Sequence, residues 1–276
     1  MYAPRIVKDN LQLQHCSSRN APWLLKSAEF CNIADSAASC ILNISEHNDA
    51  FLLKRDRNRF IFRIKTDFTS TGIASVVVKS FPLKGLKNHL YRYRRYGPAE
   101  ASNLLKARSR TIPVPLVYGY GHIKGPGVID STIVVMEDLN QHSNIGRLLS
   151  DYVKNNDSCL EILRRAGKLL VRLYEGCCNH IDINSNSIML GRTCKNDRVI
   201  DFQYASFHDC PSLNVLAFNI ACCSSSVSAY VSEEQLETWA AETFEEVSAG
   251  DIDKWVATGK HFMSNRLSRK QRLSIR

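Results

Sequence analysis

Two short segments near the middle of this 276-residue chain each set one carboxylate beside an apolar run. They are 180–190, with Asp182 after His180 and Ile181, and 199–203, with Asp201 after Val199 and Ile200. One such carboxylate can take the proton of an attacking hydroxyl, while the other holds a divalent cation against phosphate oxygens. The pair therefore suits phosphoryl transfer. Either segment alone also reads as an Asp that caps a strand or turn. The pair gains meaning only if the chain supplies groups to brace the phosphates.

Such groups stand upstream, in a suggestive order. Val76-Val77-Val78-Lys79-Ser80-Phe81 has the β-branched pattern of a buried strand that carries one charge. Its lysine can snorkel to water, or it can reach phosphate oxygens and need a carboxylate to hold it. Glu100 begins a helical stretch over 98–107, with Pro98 in the first turn and Leu104 on the same face as Glu100. Ile112-Pro113-Val114-Pro115 then punctuates the chain, 116–121 reads as a short strand, and 133–139 as a buried strand running into the acidic turn Glu137-Asp138. Lysine, glutamate, hinge, Asp and Asp in this order signal more than any one of them.

On these stretches, together with 53–63 and Met136-Glu137-Asp138-Leu139, the chain resembles the lipopolysaccharide kinase family that phosphorylates Kdo or heptose sugars. That family is a branch of the protein-kinase-like fold, and the likeness runs from about Phe51 to Arg276. It implies an α+β, protein-kinase-like bilobal fold with a small β-rich N-lobe and a mostly helical C-lobe, holding ATP and Mg²⁺ in the cleft. It also implies roles: Lys79 on the phosphates, Glu100 as its ion pair, Asp182 as catalytic base and Asp201 as metal ligand. Backbone groups near Met136, Glu137 and Leu139 would hold the adenine. The order is specific for the kinase-like fold and less so for a sugar-lipid substrate.

Two departures bear on activity. Five residues after the base, where a kinase loop carries a metal-binding Asn, this chain has Ser187. Serine is a weaker metal ligand than an amide oxygen. Asn186 could replace it only through a local register shift. A glycine-rich loop is also missing: between Phe51 and Lys79 the only glycine is Gly72, and the turn expected over ATP is the basic Lys54–Arg59. Cationic side chains there can do what backbone N–H groups do elsewhere; the same turn also reads as a solvated hairpin tip.

Composition sets outer limits. A chain of this length buries a core without staples, and 44% hydrophobic and 9% aromatic residues are ordinary for a globular protein. The ten cysteines lack Cys-x-x-Cys spacing, which argues against zinc and for reduced, largely buried thiols. There is no signal-like N-terminus and no apolar run of roughly 18 residues, so the expected location is cytoplasmic, with any membrane contact peripheral. The expected organisation is an N-terminal extension over 1–50, an N-lobe with hinge over 51–139, and a C-lobe with basic tail over 140–276. In the extension, 21–26 reads as a helix start and 35–39 as a turn; the extension as a whole reads equally as an extra strand or helix packed on the N-lobe or as a partly mobile arm.

Beyond the hinge, 145–152 and 160–174 have helical spacing, the second with Leu163, Ala166, Leu170 and Leu173 on one stripe. Residues 233–247 and 251–262 read as the final amphipathic helices, anchored by Trp239, Phe244 and Trp255. The net charge of +9 is clustered: Lys84, Lys87, His89, Arg92, Arg94 and Arg95 alternate with Tyr91, Tyr93 and Tyr96, and the tail carries Arg266, Arg269, Lys270, Arg272 and Arg276. Such patches attract anionic lipid headgroups or nucleic-acid phosphates. The partner expected from the resemblance is lipopolysaccharide or another anionic lipid-sugar at the inner leaflet. Three alternatives share some of these features: another small-molecule or protein kinase of the same fold, a catalytically impaired scaffold, and, more distantly, a nucleic-acid-binding module.

Overall fold

The computed structural model describes residues 14–18, 21–25, 50–55, 59–68, 73–124, 129–154, 159–265 and 267–276. The chain separates into two compact units. The first gathers the described residues up to Lys106 together with Pro115–Leu139, and the second gathers Ala107–Val114 and Asn140–Arg276.

The first unit is built on an antiparallel sheet. Its strands are β1 (Gln14–Ser18), β2 (Ala21–Leu25), β3 (Ala50–Arg55), β4 (Phe60–Phe68), β5 (Ile73–Pro82), β6 (Val117–Lys124) and β7 (Ile129–Glu137), in the spatial order β1-β2-β6-β7-β5-β4-β3. On β4, Phe62 and Ile64 are buried while Arg63 between them is half-buried, the alternation of a strand with one covered face. On β5 the run Val78–Phe81 is buried without alternation, as expected of a strand covered on both faces. Helix α1 (Gly97–Ser109) presents Glu100, Leu104 and Ala107 at helical spacing, all buried. The helix start expected at 21–26 is corrected over its described residues: Ala21–Leu25 form strand β2, with Leu24 paired to Tyr120, because pairing with β6 outweighs local helix preference. The expected turn at 35–39 lies outside the described residues, as do Asp56, Arg57, Asn58 and Gly72 of the basic-turn region.

The second unit is mostly helical: α2 (Ile145–Lys154), α3 (Leu160–Glu175), α4 (Leu213–Val227), α5 (Glu233–Glu246), α6 (Ile252–Ser264) and α7 (Arg269–Leu273). Leu163, Ala166, Leu170 and Leu173 of α3 are all fully buried, and α3 packs against α4 and α5. Trp239 and Phe244 are buried as anchors, and half-buried Trp255 lies against Phe244 at 6.4 Å. Side-chain caps mark the helix starts: Ser212, Ser232 and Asp251 accept from backbone N–H groups, and Ser232 with Gln235 closes a capping box. Helix α4 is buried from Val215 through Ala221, so its apolar residues face every direction and show no stripe. Small ladders pin the loops between helices: β8 (Ser143–Asn144), β10 (Ile188–Leu190) and β11 (Arg198–Val199) form one sheet, and β9 (Cys178–Asn179) pairs with β12 (Ser206–Phe207).

Candidate active site

In the first unit, β5 and α1 bring two residues together that are far apart in sequence. Lys79 Nζ donates to Glu100 Oε1 at 2.6 Å, with both side chains almost fully buried. β5 holds Lys79 opposite Val134, and the inward stripe of α1 aims Glu100 back at it. A buried charge pair gains little over an apolar pair of the same shape, but losing one partner costs about 3–5 kcal/mol. Such an arrangement suits a lysine that must stay charged and aimed.

The candidate adenine-binding segment ends β7. Met136 is buried between Val77 and Val117, its partners on β5 and β6, and Leu139 is half-buried. Glu137 clamps Leu116 from both directions: its N–H donates to the Leu116 carbonyl at 2.8 Å, and its Oε2 accepts from the Leu116 N–H at 3.0 Å. The Glu137 N–H is therefore already engaged. Between these residues Asp138, read in the sequence only as part of an acidic turn, is buried against Arg63 Nε at 2.7 Å and accepts from the Ser75 hydroxyl at 2.6 Å. Arg63 reads as the polar alternate of a strand, and only the register of β4, β5 and β7 brings the three together.

In the second unit the two Asp segments are laced into one structure. Ile188 of β10 pairs with Val199 of β11, and the Ile200 N–H donates to the Ser187 carbonyl at 2.9 Å. His180 lies beneath them, fully buried. Its Nε2 bonds the Ile200 carbonyl at 2.8 Å and its ring meets Phe202 edge-on at 4.8 Å. Burial pushes the His180 pKa down from its ordinary value, despite the nearby carbonyl, Asp201 and Asp182. A neutral imidazole in that position props the loops and is not aimed outward as a proton carrier.

Asp182 is 37% exposed at the side chain and faces two guanidinium groups, Arg269 Nη2 at 3.6 Å and Arg272 Nη1 at 3.7 Å. Ser187 turns inward, with its hydroxyl in a long 3.5 Å contact to the Asp182 carbonyl, while Asn186 is exposed. The Asn184 amide engages the backbone of this loop: its Nδ2 donates to the Asp182 carbonyl at 2.8 Å and its Oδ1 accepts from the Asn186 N–H at 2.8 Å. Asp201 adopts φ 66° and ψ 48°, a left-handed conformation uncommon outside glycine and tolerated best by Asp and Asn. Backbone strain of this kind persists where surrounding structure imposes it, here buried Phe202 and the β11 pairing.

The donor set fits a nucleotide-bound Mg²⁺. Among the described residues no cluster of three or more His, Cys, Asp or Glu could cage a metal by itself. Mg²⁺ is commonly held by one or two carboxylates, with phosphate oxygens and water completing its shell. Asp201, half-buried on its constrained turn, could supply such a carboxylate. Cys159, Cys178 and Cys223 are free and buried, Cys177 and Cys222 free and half-buried, and Cys194 and Cys210 free and exposed. Burial pushes the Cys222 thiol up to about 11, so it stands near Asp182 as a thiol at neutral pH.

One unit with an antiparallel sheet and a lysine–glutamate pair, and a second, mostly helical unit with an Asp-bearing loop and an Asp turn, make up the protein-kinase-like α+β fold. No family model matches the chain, and no curated protein matches it. Among solved structures the chain is similar to that of "WaaP in complex with acyl carrier protein", with a TM-score of 0.59 and 12% identity, covering 88% of this chain and 98% of that one. At that identity the likeness is one of fold. That likeness agrees with the protein-kinase-like α+β fold class expected from the residues.

Proposed function

We propose that this protein is an ATP-dependent phosphotransferase acting on a sugar hydroxyl of the lipopolysaccharide core or lipid A. The observation that carries the reading is the buried 2.6 Å Lys79–Glu100 pair, in a chain that also holds Asp182 and Asp201 on laced loops. Lys79 braces the phosphates, and its charge persists because Glu100 compensates it out of water. Asp201 supplies the charged ligand for Mg²⁺, which neutralises phosphate charge when bound. Asp182 orients the acceptor hydroxyl and takes its proton. Phosphoryl transfer asks little covalent help of the protein, so positioning and charge neutralisation supply most of the rate. Inward-turned Ser187 steadies the Asp182 loop.

An anionic membrane surface suits the exterior of the segment before α1. Leu86, Leu90 and Tyr91 are 67%, 42% and 77% exposed, among exposed Lys84 and Lys87. Apolar side chains set among lysines fit a headgroup layer better than a nucleic-acid backbone. No described helix is long and apolar enough to cross a membrane.

A scaffold without turnover is favoured by one observation, Ser187 at the position of the kinase loop's Asn. Mass spectrometry of lipid A–core from cells with and without the gene separates the two. We expect one phosphate to disappear with the gene and to return with the wild-type protein, but not with Asp182→Ala or Asp201→Ala. An unchanged profile would move the assignment to another acceptor or to the scaffold.

A further inference from the structure

The second unit contains, beside Asp182, a groove of about 540 Å³ whose lining includes Asp182, Asn184, Phe218, Phe262, Leu267 and Arg272. One wall is apolar, where Phe218 and Phe262 meet edge to face at 5.8 Å. The rim beside the carboxylate is cationic, because the C-terminal helix α7 is docked there. Its Ser268–Gln271 capping box fixes the start, Asn179 Nδ2 donates to the Arg272 carbonyl at 2.9 Å, and Asn214 Nδ2 donates to the Arg276 carbonyl at 3.0 Å.

The two arginines of that rim are held by groups other than Asp182. Arg272 Nε donates to the Leu267 carbonyl at 3.1 Å and its Nη1 to the Ile181 carbonyl at 3.3 Å. The Arg269 guanidinium stacks 3.8 Å from the centre of the Tyr204 ring. Their distances to Asp182, 3.6 and 3.7 Å, exceed the roughly 2.7–2.9 Å of a charge-assisted hydrogen bond. Two positioned cations thus face one carboxylate without a close bond to it. Two guanidinium charges stand against the Asp182 carboxylate, and both remain partly exposed, Arg269 at 56% and Arg272 at 34%.

We infer that Arg269 and Arg272 form an oxyanion subsite for the acceptor, so that the preferred substrate is an alcohol already carrying a phosphate or carboxylate next to the hydroxyl presented to Asp182. The apolar wall takes a ring or chain face of the same molecule. The inference deepens the proposed function, resting on Asp182 as base for the orientation of the acceptor.

Anion binding can be read without turnover. Full-length protein, with Mg²⁺ and a non-hydrolysable ATP analogue present, is titrated calorimetrically with glucose 1-phosphate, glucuronate and glucose. We expect the phosphate, the carboxylate or both to bind, separating the two sources of the anion, with glucose far weaker. Replacing both arginines (Arg269→Gln with Arg272→Gln) should weaken anion binding about 10- to 100-fold, the range for lost hydrogen bonds to a charged group. Asp182→Asn should tighten it, since the competing carboxylate is gone. Because Arg272 also ties down α7, Arg269→Gln alone, which breaks no backbone bond, serves as the control for folding. Equal binding of glucose and its charged relatives, unchanged affinity in the arginine variants, or no tightening in Asp182→Asn would each overturn the subsite. So would Arg269→Gln raising turnover at unchanged acceptor KM, which would make α7 an inhibitor. Failure of the kinase reading is seen separately, as absence of ADP release in protein that still binds the anion.

Discussion

At the residue scale, the Lys79–Glu100 pair and His180 carry the sharpest expectations. Glu100→Gln leaves a buried ammonium without its counter-charge, and we expect a loss of about 3–5 kcal/mol of stability by chemical denaturation. Lys79→Met combined with Glu100→Leu should restore most of that stability, since an apolar pair fills the same space, while phosphotransfer stays absent. A double variant that regains turnover would remove Lys79 from the mechanism. His180 gives a pH signature. Burial keeps its folded pKa below the ordinary 6.5, so below that pH the unfolded chain binds a proton that the folded chain refuses. Its stabilising contribution is complete above about pH 6.5 and is lost as pH falls toward the folded pKa, by at most about 1.4 kcal/mol per pH unit. Burial also lowers the pKa of His208, so the test is the difference between wild type and His180→Gln in melts from about pH 5 to 8. Parallel profiles would show that His180 is not the group involved.

At the scale of elements, the second unit depends on how closely α3 approaches α5. A Cβ built on Gly167 would stand 2.7 Å from Thr243 Oγ1 and 2.9 Å from Trp239 Nε1, closer than packed side chains come. Trp239 is buried and the Thr243 hydroxyl is bonded to the Trp239 carbonyl at 2.8 Å, so neither yields cheaply. Gly167→Ala, favourable by helix propensity alone, should instead destabilise by about 1–3 kcal/mol through overpacking, read as a lower denaturation midpoint at unchanged slope. An unchanged or raised midpoint would mean that the two helices part easily. A part-buried ion pair supports the adjoining loop: Arg165 grips Asp197 through Nε and Nη2, and Nη2 also donates to the Gly191 carbonyl at 2.8 Å, while Asp197 accepts from the Gly191 N–H at 2.9 Å. Neither residue stood out in the sequence. An arginine on a helix face and an aspartate in a polar loop look like ordinary surface residues until folding joins them.

For the molecule as a whole, the net charge of +9 and its clustering bear on where it works. We expect binding to vesicles of phosphatidylglycerol and phosphatidylcholine that weakens steeply from about 0.05 to 0.5 M salt, as Debye screening shortens. Lys84→Glu with Lys87→Glu should weaken it further without altering the melt, because both side chains are exposed. Salt-insensitive binding, or equal binding by the charge-reversed variant, would place the membrane contact elsewhere.

The order of Lys79, Glu100, Asp182 and Asp201 and the kinase-like α+β class were legible in the sequence, because strand and helix periodicity and an acid beside an apolar run are local signals. The same locality made α3 readable through its single stripe and hid α4, which is apolar all round. Other features required the folded chain. The Asp138–Arg63 ion pair follows from the register of three strands, the added β2 from pairing with β6, and β1 from pairing with β2. The inward turn of Ser187 in place of Asn186 follows from a ladder that fixes which face each residue presents. Most remote of all, Arg269 and Arg272 read in the sequence only as part of a basic tail that attracts anionic surfaces. Their position beside Asp182 arises from hydrogen bonds across 93 and 91 residues of sequence, Asn179 to Arg272 and Arg272 to Ile181, and contacts that distant leave no periodicity to read.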